Sequence, residues 1–238
     1  VTALQWAMDT RDTMGGGHGY TTNIVGLLGT VKPGDQEALE RLRALGAHLY
    51  GSSASVDPFS AYEAKAEPAA FHHDRGALKD SLGICDNIFP MLTDPKAADF
   101  LVRVNGVEGR DLEYYLFQSA SNLSLDQEEF YRIGARIFTA ERMLAIRNWG
   151  RSRATDEMII PYLERPEGNV SPYLGQRVNL DPQAFRALMG EYYALRGWDS
   201  QTGRPTEACL RDLGMEEFLS ALQCPAPEGL RAWEGQPS

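Results

Sequence analysis

Ser124-Leu-Asp-Gln127-Glu-Glu-Phe130-Tyr-Arg-Ile133-Gly-Ala-Arg-Ile137-Phe-Thr-Ala-Glu-Arg-Met143-Leu-Ala-Ile146-Arg-Asn-Trp-Gly150 carries the strongest helical periodicity in the chain and decides its fold class. Phe130, Ile133, Ile137, Met143 and Ile146 recur at the spacing that places them on one helix face. Ser124 with Gln127 matches a capping box at the start, and Gly150 supplies the stop.

Working outward, the same signals recur. Asp35 is an N-cap for a helix through Ala38, Leu39, Leu42, Leu45 and Leu49, closed by Gly51. Residues 60–84 read as two helical pieces broken at Pro68, the second running towards Cys85, and a short helix is expected over 95–104. Asp181-Pro182 opens a helix lined by Phe185, Leu188, Met189, Tyr192 and Leu195 and closed by Gly197. Thr206 starts another that runs to Leu213, a last one covers Glu216 to Leu222, and the tail from Pro225 is expected to be loose. The first 33 residues read as irregular around Gly15-Gly16-Gly17-His18-Gly19, with a turn at Lys32-Pro33-Gly34-Asp35. No segment alternates apolar and polar residues over a strand's length, and no hairpin is expected. The chain is therefore read as all-α and multihelical, in two lobes, 1–110 and 111–238, that meet near 105–123.

Composition bounds the function. The chain has 238 residues, 43% hydrophobic and 24% charged, which suits a globular protein of one large or two small domains. A net charge of −10 argues against general nucleic-acid binding, because nothing would neutralise phosphates. Three cysteines, Cys85, Cys209 and Cys224, make no disulfide framework and point to a reducing, cytoplasmic setting. No stretch approaches the ~20 apolar residues of a membrane helix, and no signal peptide is expected. The chain begins at Val1 rather than at a methionine, and it is read as the C-terminal part of a longer polypeptide.

Self-contained catalytic signatures are absent: there is no Walker A loop, no Gly-x-Ser-x-Gly elbow, no Cys-x-x-Cys and no His-Glu-x-x-His. What remains is Asp80-Ser-Leu-Gly83-Ile84-Cys85. A thiolate binds soft metals and iron–sulfur clusters, Gly83 permits a sharp turn, and Asp80 can accept hydrogen bonds from a heterocycle bearing N–H donors. The competing reading makes Gly83 a helix end and Cys85 a small buried hydrophobe. His18, behind three glycines, can act as a proton donor or acceptor in a cavity or simply bond a backbone carbonyl. Adjacent His72 and His73 point about 100° apart on a helix and read as structural. Arg142, Arg147, Arg151 and Arg153 could clamp an anion, but Asp156 and Glu157 lie beside them, and a salt-bridged elbow is the favoured reading. Tyr192-Tyr193 through Arg196, Trp198 and Asp199 reads as core packing and a helix end.

Four stretches in order carry a more specific likeness: Asp9-Thr10-Arg11-Asp12 with His18; Asp80 through Cys85; Arg136 through Glu141-Arg142 to Arg147 and on to Asp156 and Pro161; and Asp181-Pro182 through Tyr192-Tyr193, Arg196-Gly-Trp198-Asp199, Gly203-Arg204-Pro205-Thr206 and Leu210-x-x-Leu213-Gly214. Their order resembles the C-terminal region of the aldehyde ferredoxin oxidoreductase family, the tungsten-pterin enzymes. The resemblance implies the two helical domains that follow a β-rich N-terminal domain. It implies a tungsten, or sometimes molybdenum, bis-pterin and a [4Fe–4S] cluster in the full-length enzyme. Three cluster ligands would come from an upstream motif and the fourth from Cys85. Asp80 would bind pterin, within a motif where Gly83 is kept and Ile84 replaces the usual leucine. His18 would assist proton movement, and a carboxylate near the metal would lie before Val1. Implied partners are an aldehyde substrate oxidised to its acid, ferredoxin as electron acceptor and the missing N-terminal domain; some relatives act on aromatic acyl thioesters. The isolated chain is expected to bind no cofactor and to be inactive, with open apolar surface that favours a homodimer. The alternative is a metal-free helical scaffold of the same fold.

Overall fold

The computed structural model describes residues 1–10, 18–85, 89, 91–164, 169–171, 173–175 and 177–223. In chain order the helices are α1 (Thr2–Met8), α2 (His18–Tyr20), α3 (Gly26–Leu28), α4 (Gln36–Tyr50), α5 (Ala66–Ser81), α6 (Leu112–Ala120), α7 (Gln127–Trp149), α8 (Arg153–Asp156), α9 (Ile160–Leu163), α10 (Pro182–Leu195) and α11 (Glu207–Asp212). The strands among the described residues are two short antiparallel pairs, β1 (Arg103–Val104) with β2 (Val107–Glu108), and β3 (Asn169–Val170) with β4 (Arg177–Val178). The chain is all-α, as its periodicity predicts.

Several helices begin and end where their chemistry says. Asp35 accepts from the Ala38 amide at 3.0 Å, and Gly51 takes φ +79° past the last turn of α4. Asp181 accepts from the Gln183 and Ala184 amides, and Gly197, at φ +65°, follows the end of α10. Leu195 faces outward, however, and is half exposed. For α7 the N-cap is Asp126, not Ser124: its carboxylate accepts from the Glu129 amide at 2.8 Å. An anionic cap two residues further on combines the side-chain acceptor with a favourable charge at the helix start. The buried line of α7 runs through Phe130, Gly134, Phe138 and Arg142, with Ile133 and Ile137 half-buried beside it. The segment Glu216–Gln223 is helical but 3₁₀.

Four further expectations need correction. Residues 66–81 form one helix through Pro68, because that proline sits in the first turn, where the missing N–H would have no helical acceptor. The first 33 residues are not irregular among those described: Leu4, Ala7 and Met8 bury one face of α1, and α2 continues through a π-turn, Thr21–Val25, into α3. The 95–104 segment is a series of turns. Asp94 and Asp99 bond the Lys96 and Leu101 amides, offering the backbone an alternative to a helix, and Phe100 is held at φ +62° under the Arg41 guanidinium, 3.8 Å from its ring centre. Finally, Arg103–Glu108 is a hairpin. Its turn is Asn105-Gly106, with φ +51° and +84°, the pair that a two-residue I′ turn requires.

Helix α5 runs through the middle of the molecule against α1, α2, α4, α7 and α10. Its small residues allow this. Ala66, Ala69, Ala70 and Ala77 are buried in a core cluster with Leu4, Met8, Phe138, Phe185, Tyr192 and Trp198, which draws on both sides of residue 110. A second cluster joins Ile24 and Leu27 to Leu42, Leu45, Val56 and Phe100. Where α5 meets α7, a Cβ on Gly134 would stand 2.3 Å from the Asp74 carbonyl oxygen, so only glycine permits that approach. His72 and His73 are core residues, as expected: His72 Nε2 pairs with Tyr50 Oη at 2.8 Å, and His73 pairs with Tyr192 Oη at 2.7 Å and stacks on Phe138.

The arginine-rich stretch after α7 is the expected elbow. Arg142 donates two bonds to Asp156, at 2.9 and 2.6 Å, with both side chains fully buried. Arg151 and the Tyr193 hydroxyl complete the carboxylate, at 2.8 and 2.6 Å. Arg153 and Arg186 share Glu157.

Candidate functional site

The C-terminus of α5 builds the turn that carries Cys85. Gly83 adopts φ +70°; its amide donates to the Asp80 carbonyl at 3.1 Å, and the Ile84 amide donates to the Lys79 carbonyl at 2.9 Å. That pair of bonds is a Schellman motif, which needs glycine at the left-handed position. The helix-end reading of Gly83 is therefore correct, yet it does not make Cys85 a core residue. The Cys85 thiol is free and exposed, Asp80 is exposed on the same turn, and Ile84 is half-buried between them in sequence. Space is open where a Gly83 Cβ would stand, with nothing within 4 Å. Among the described residues the buried cysteine is Cys209, whose thiol donates to the Arg196 carbonyl at 3.1 Å and is pushed up in pKa by burial.

Such a turn carries one exposed cysteine and one exposed aspartate at a helix end. Among the described residues no group of three or more His, Cys, Asp or Glu side chains could hold a metal ion. One cysteine and one carboxylate on the same turn can contribute a single thiol ligand and a hydrogen-bond acceptor.

His18 begins α2 and is half-buried. Residues 11–17, including Arg11, Asp12 and the glycine run, lie outside those described. The segment before them is held tightly: Arg151 donates to the Asp9 and Ala7 carbonyls, and Thr10 Oγ1 donates to Glu141 at 2.6 Å. Helix α2 lies against the middle of α5, where the Tyr20 ring meets His72 edge-on at 5.4 Å. From His72 to the end of α5 is about nine residues, roughly 13 Å of rise. The structure therefore places the His18 segment and the Cys85 turn on the same helix, at different heights.

One buried residue just after α2 leaves no mark in the sequence. Asn23, fully buried in the π-turn, bonds the Gly19 carbonyl on one side and the Leu92 amide on the other. No local signal marks it, since its Leu92 and Thr93 partners lie about 70 residues further along the chain. Lys79, also fully buried, sits one residue before Asp80 and is a second such position.

A separate cavity of about 320 Å³ opens between Val1, Tyr20, Val56, Lys65, Leu180 and Phe185, and none of the expected site residues lines it. Lys65 Nζ donates to the carbonyls of Ala54, Ser55 and Asp57, so its role there is to hold the loop. Burial lowers its pKa from 10.5 to about 8, against the opposing pull of Asp57. The unfolded chain then binds more protons than the folded one between those two values, so stability is expected to rise with pH across that window. Tyr20, Tyr50, Tyr131, Tyr192 and Tyr193, held protonated chiefly by desolvation, oppose the rise from about pH 9, where unfolded tyrosines begin to ionise. Melting temperatures should climb from pH 8 to about 9, and Lys65→Met should flatten the climb; a wild-type curve that falls across this range contradicts the assignment.

The family model for aldehyde ferredoxin oxidoreductase, domains 2 & 3, matches residues 5–215, and the chain belongs to that family. It is 27% identical over 215 residues to the tungsten-containing aldehyde ferredoxin oxidoreductase of Pyrococcus abyssi, covering 90% of this chain and 30% of that protein. The enzymes of the same name from Thermococcus kodakarensis and Pyrococcus furiosus match at 27% identity, over 90% and 89% of this chain. The chain spans about 30% of the length of the curated relatives it matches. No solved structure matches it significantly. Among the described residues no helix is long and apolar enough to cross a membrane.

Proposed function

We propose that this chain supplies the helical domains of a tungsten-pterin oxidoreductase that converts aldehydes to carboxylic acids and delivers the electrons to ferredoxin. The observation that carries the reading is the exposed Cys85 thiol on a glycine-dependent helix-end turn, beside the exposed Asp80, in a region matched by the family model. Cys85 is the fourth thiolate of a [4Fe–4S] cluster, Asp80 accepts hydrogen bonds from the pterin N–H groups, and Gly83 with Ile84 sets the backbone that holds both. When bound, the pterin metal, tungsten or molybdenum, and the cluster supply the two-electron chemistry.

The remaining work belongs to side chains. Oxidising an aldehyde to its acid with an oxygen from water releases two protons, and His18, at the start of α2, is the proposed group that accepts and passes one of them. The rigid end of α5 fixes the thiolate, which limits reorganisation when an electron passes. The protein is proposed to work in the cytoplasm, with the units 1–110 and 111–238 packing together on the preceding domain and a homodimer as its assembly.

Elemental analysis and dye reduction test this. The full-length protein should contain tungsten or molybdenum with about four irons per chain, and should reduce a viologen dye when an aldehyde is added. A preparation from metal-replete cells holding neither the pterin metal nor iron supports the metal-free scaffold instead.

A further inference from the structure

We infer that Asn23 is a positioning residue that clamps Leu92 and Thr93, downstream of Cys85, onto the helix that begins at His18, an inference that rests on Cys85 being a cluster ligand. Four hydrogen bonds meet at this one fully buried residue. Its Nδ2 donates to the Gly19 carbonyl at 2.7 Å, next to His18. Its Oδ1 accepts from the Leu92 amide at 2.6 Å and the Thr93 amide at 3.4 Å, and its own carbonyl accepts from Thr93 Oγ1 at 2.7 Å. The residue sits in the π-turn Thr21–Val25, and such widened turns recur at functional sites, where they re-aim a side chain out of the helical ladder.

The held segment is rigid on its other sides too. The Val102 amide bonds the Leu92 carbonyl at 3.1 Å, and Thr93 bridges to Leu101. Gly109 packs so closely that a Cβ would stand 1.8 Å from the Met91 carbonyl oxygen. Cys85 thus has the Schellman turn on one side and, on the other, a carbonyl that accepts from the Phe89 amide at 3.2 Å, three residues short of the Leu92 amide held by Asn23. A cluster ligand needs its sulfur held within a few tenths of an ångström, which one turn with an exposed end does not secure alone. Asn23 therefore ties the position of the thiolate to the position of the His18 helix.

The test uses the full-length protein with its cluster in place. Asn23→Leu keeps the volume and removes the amide, leaving the Leu92 and Thr93 amides and the Gly19 carbonyl without it. Each such buried loss costs about 1–3 kcal/mol, so iron release to a chelator should run roughly tenfold faster or more. The electron paramagnetic resonance spectrum and midpoint potential of the reduced cluster should change with it. Thr206→Ala serves as control: it removes the cap of α11 and should lower the melting temperature while leaving the spectrum, potential and iron release as in wild type. Should Asn23→Leu not accumulate, Thr93→Val removes the hydroxyl bond alone and is read in the same way.

An Asn23→Leu protein with wild-type spectrum, potential and iron release overturns the clamp, as does a Thr206→Ala protein altered to the same extent. Cys85→Ala in the same assay separates the two ideas. Retention of the full cluster there overturns the ligand reading and the clamp together. Loss of the cluster there, with Asn23→Leu unchanged, overturns the clamp alone.

Discussion

Asp156→Ala is expected to lower the unfolding free energy by about 3–5 kcal/mol, the cost of leaving a buried charge without its partner. Asp156 lies at the end of α8 with its carboxylate wholly buried, between Arg142, Arg151 and the Tyr193 hydroxyl. Arg142 has no solvent to turn to, since its guanidinium is fully buried and its remaining bond is to the Gly203 carbonyl at 3.0 Å. Gly203 is itself confined, because a Cβ there would stand 2.5 Å from the Arg142 guanidinium. Removing the carboxylate therefore strands a charge and loosens the return of the chain from α10 to α11. Against a typical total of about 5–15 kcal/mol this is a large share, and urea unfolding should show it as a lower midpoint at an unchanged slope. Two companions sharpen the result. Asp156→Asn keeps acceptor and shape and should lose less. The double change Arg142→Met with Asp156→Leu removes both charges and should recover much of the loss, since a buried ion pair is often no better than well-packed apolar residues. A loss under about 1 kcal/mol for Asp156→Ala would mean that the pair is not desolvated as described.

Where the sequence was legible, a local chemical reason stood behind each element. Asp35, Asp181 and Thr206 each bond an amide of the first turn they precede, and Gly51, Gly150, Gly197 and Gly214 each take the left-handed conformation after a helix. The Asp80–Cys85 turn is of the same kind, so the candidate site is readable from six consecutive residues. Elsewhere position within an element mattered more than residue type. Pro68 breaks a helix interior but not a first turn, and only the start of α5 at Ala66 tells the two cases apart. Asn105-Gly106 is a hairpin signal that was passed over because its strands are two residues long, too short for alternation to show. Long-range bonds left no trace at all. Asn23 looks like an unremarkable polar residue until its partners at 92 and 93 are placed beside it, and Gly134 and Gly109 look like flexible positions when each marks a close backbone approach. Charged residues in the core, such as Arg75 with Glu113, are equally silent, because a sequence shows the charges and not their burial.

The chain's exposed apolar residues include Trp149, Met158 and Tyr162, which line a cavity of about 460 Å³ together with Trp6 and Arg151. That surface and the Cys85 turn are distinct features, and the account of function depends on the turn.

Cys85→Ala in the full-length protein tests that account most directly. The thiol is exposed and the Schellman bonds are made by the backbones of Lys79, Asp80, Gly83 and Ile84, so the substitution should leave the helical fold and its circular dichroism spectrum as they are. Iron content should fall from about four per chain towards zero or to an incomplete cluster, with loss of the cluster's electron paramagnetic resonance signal and of aldehyde-dependent dye reduction. A folded Cys85→Ala protein that keeps its full complement of iron, an unchanged spectrum and wild-type dye reduction would contradict the role assigned to this sulfur.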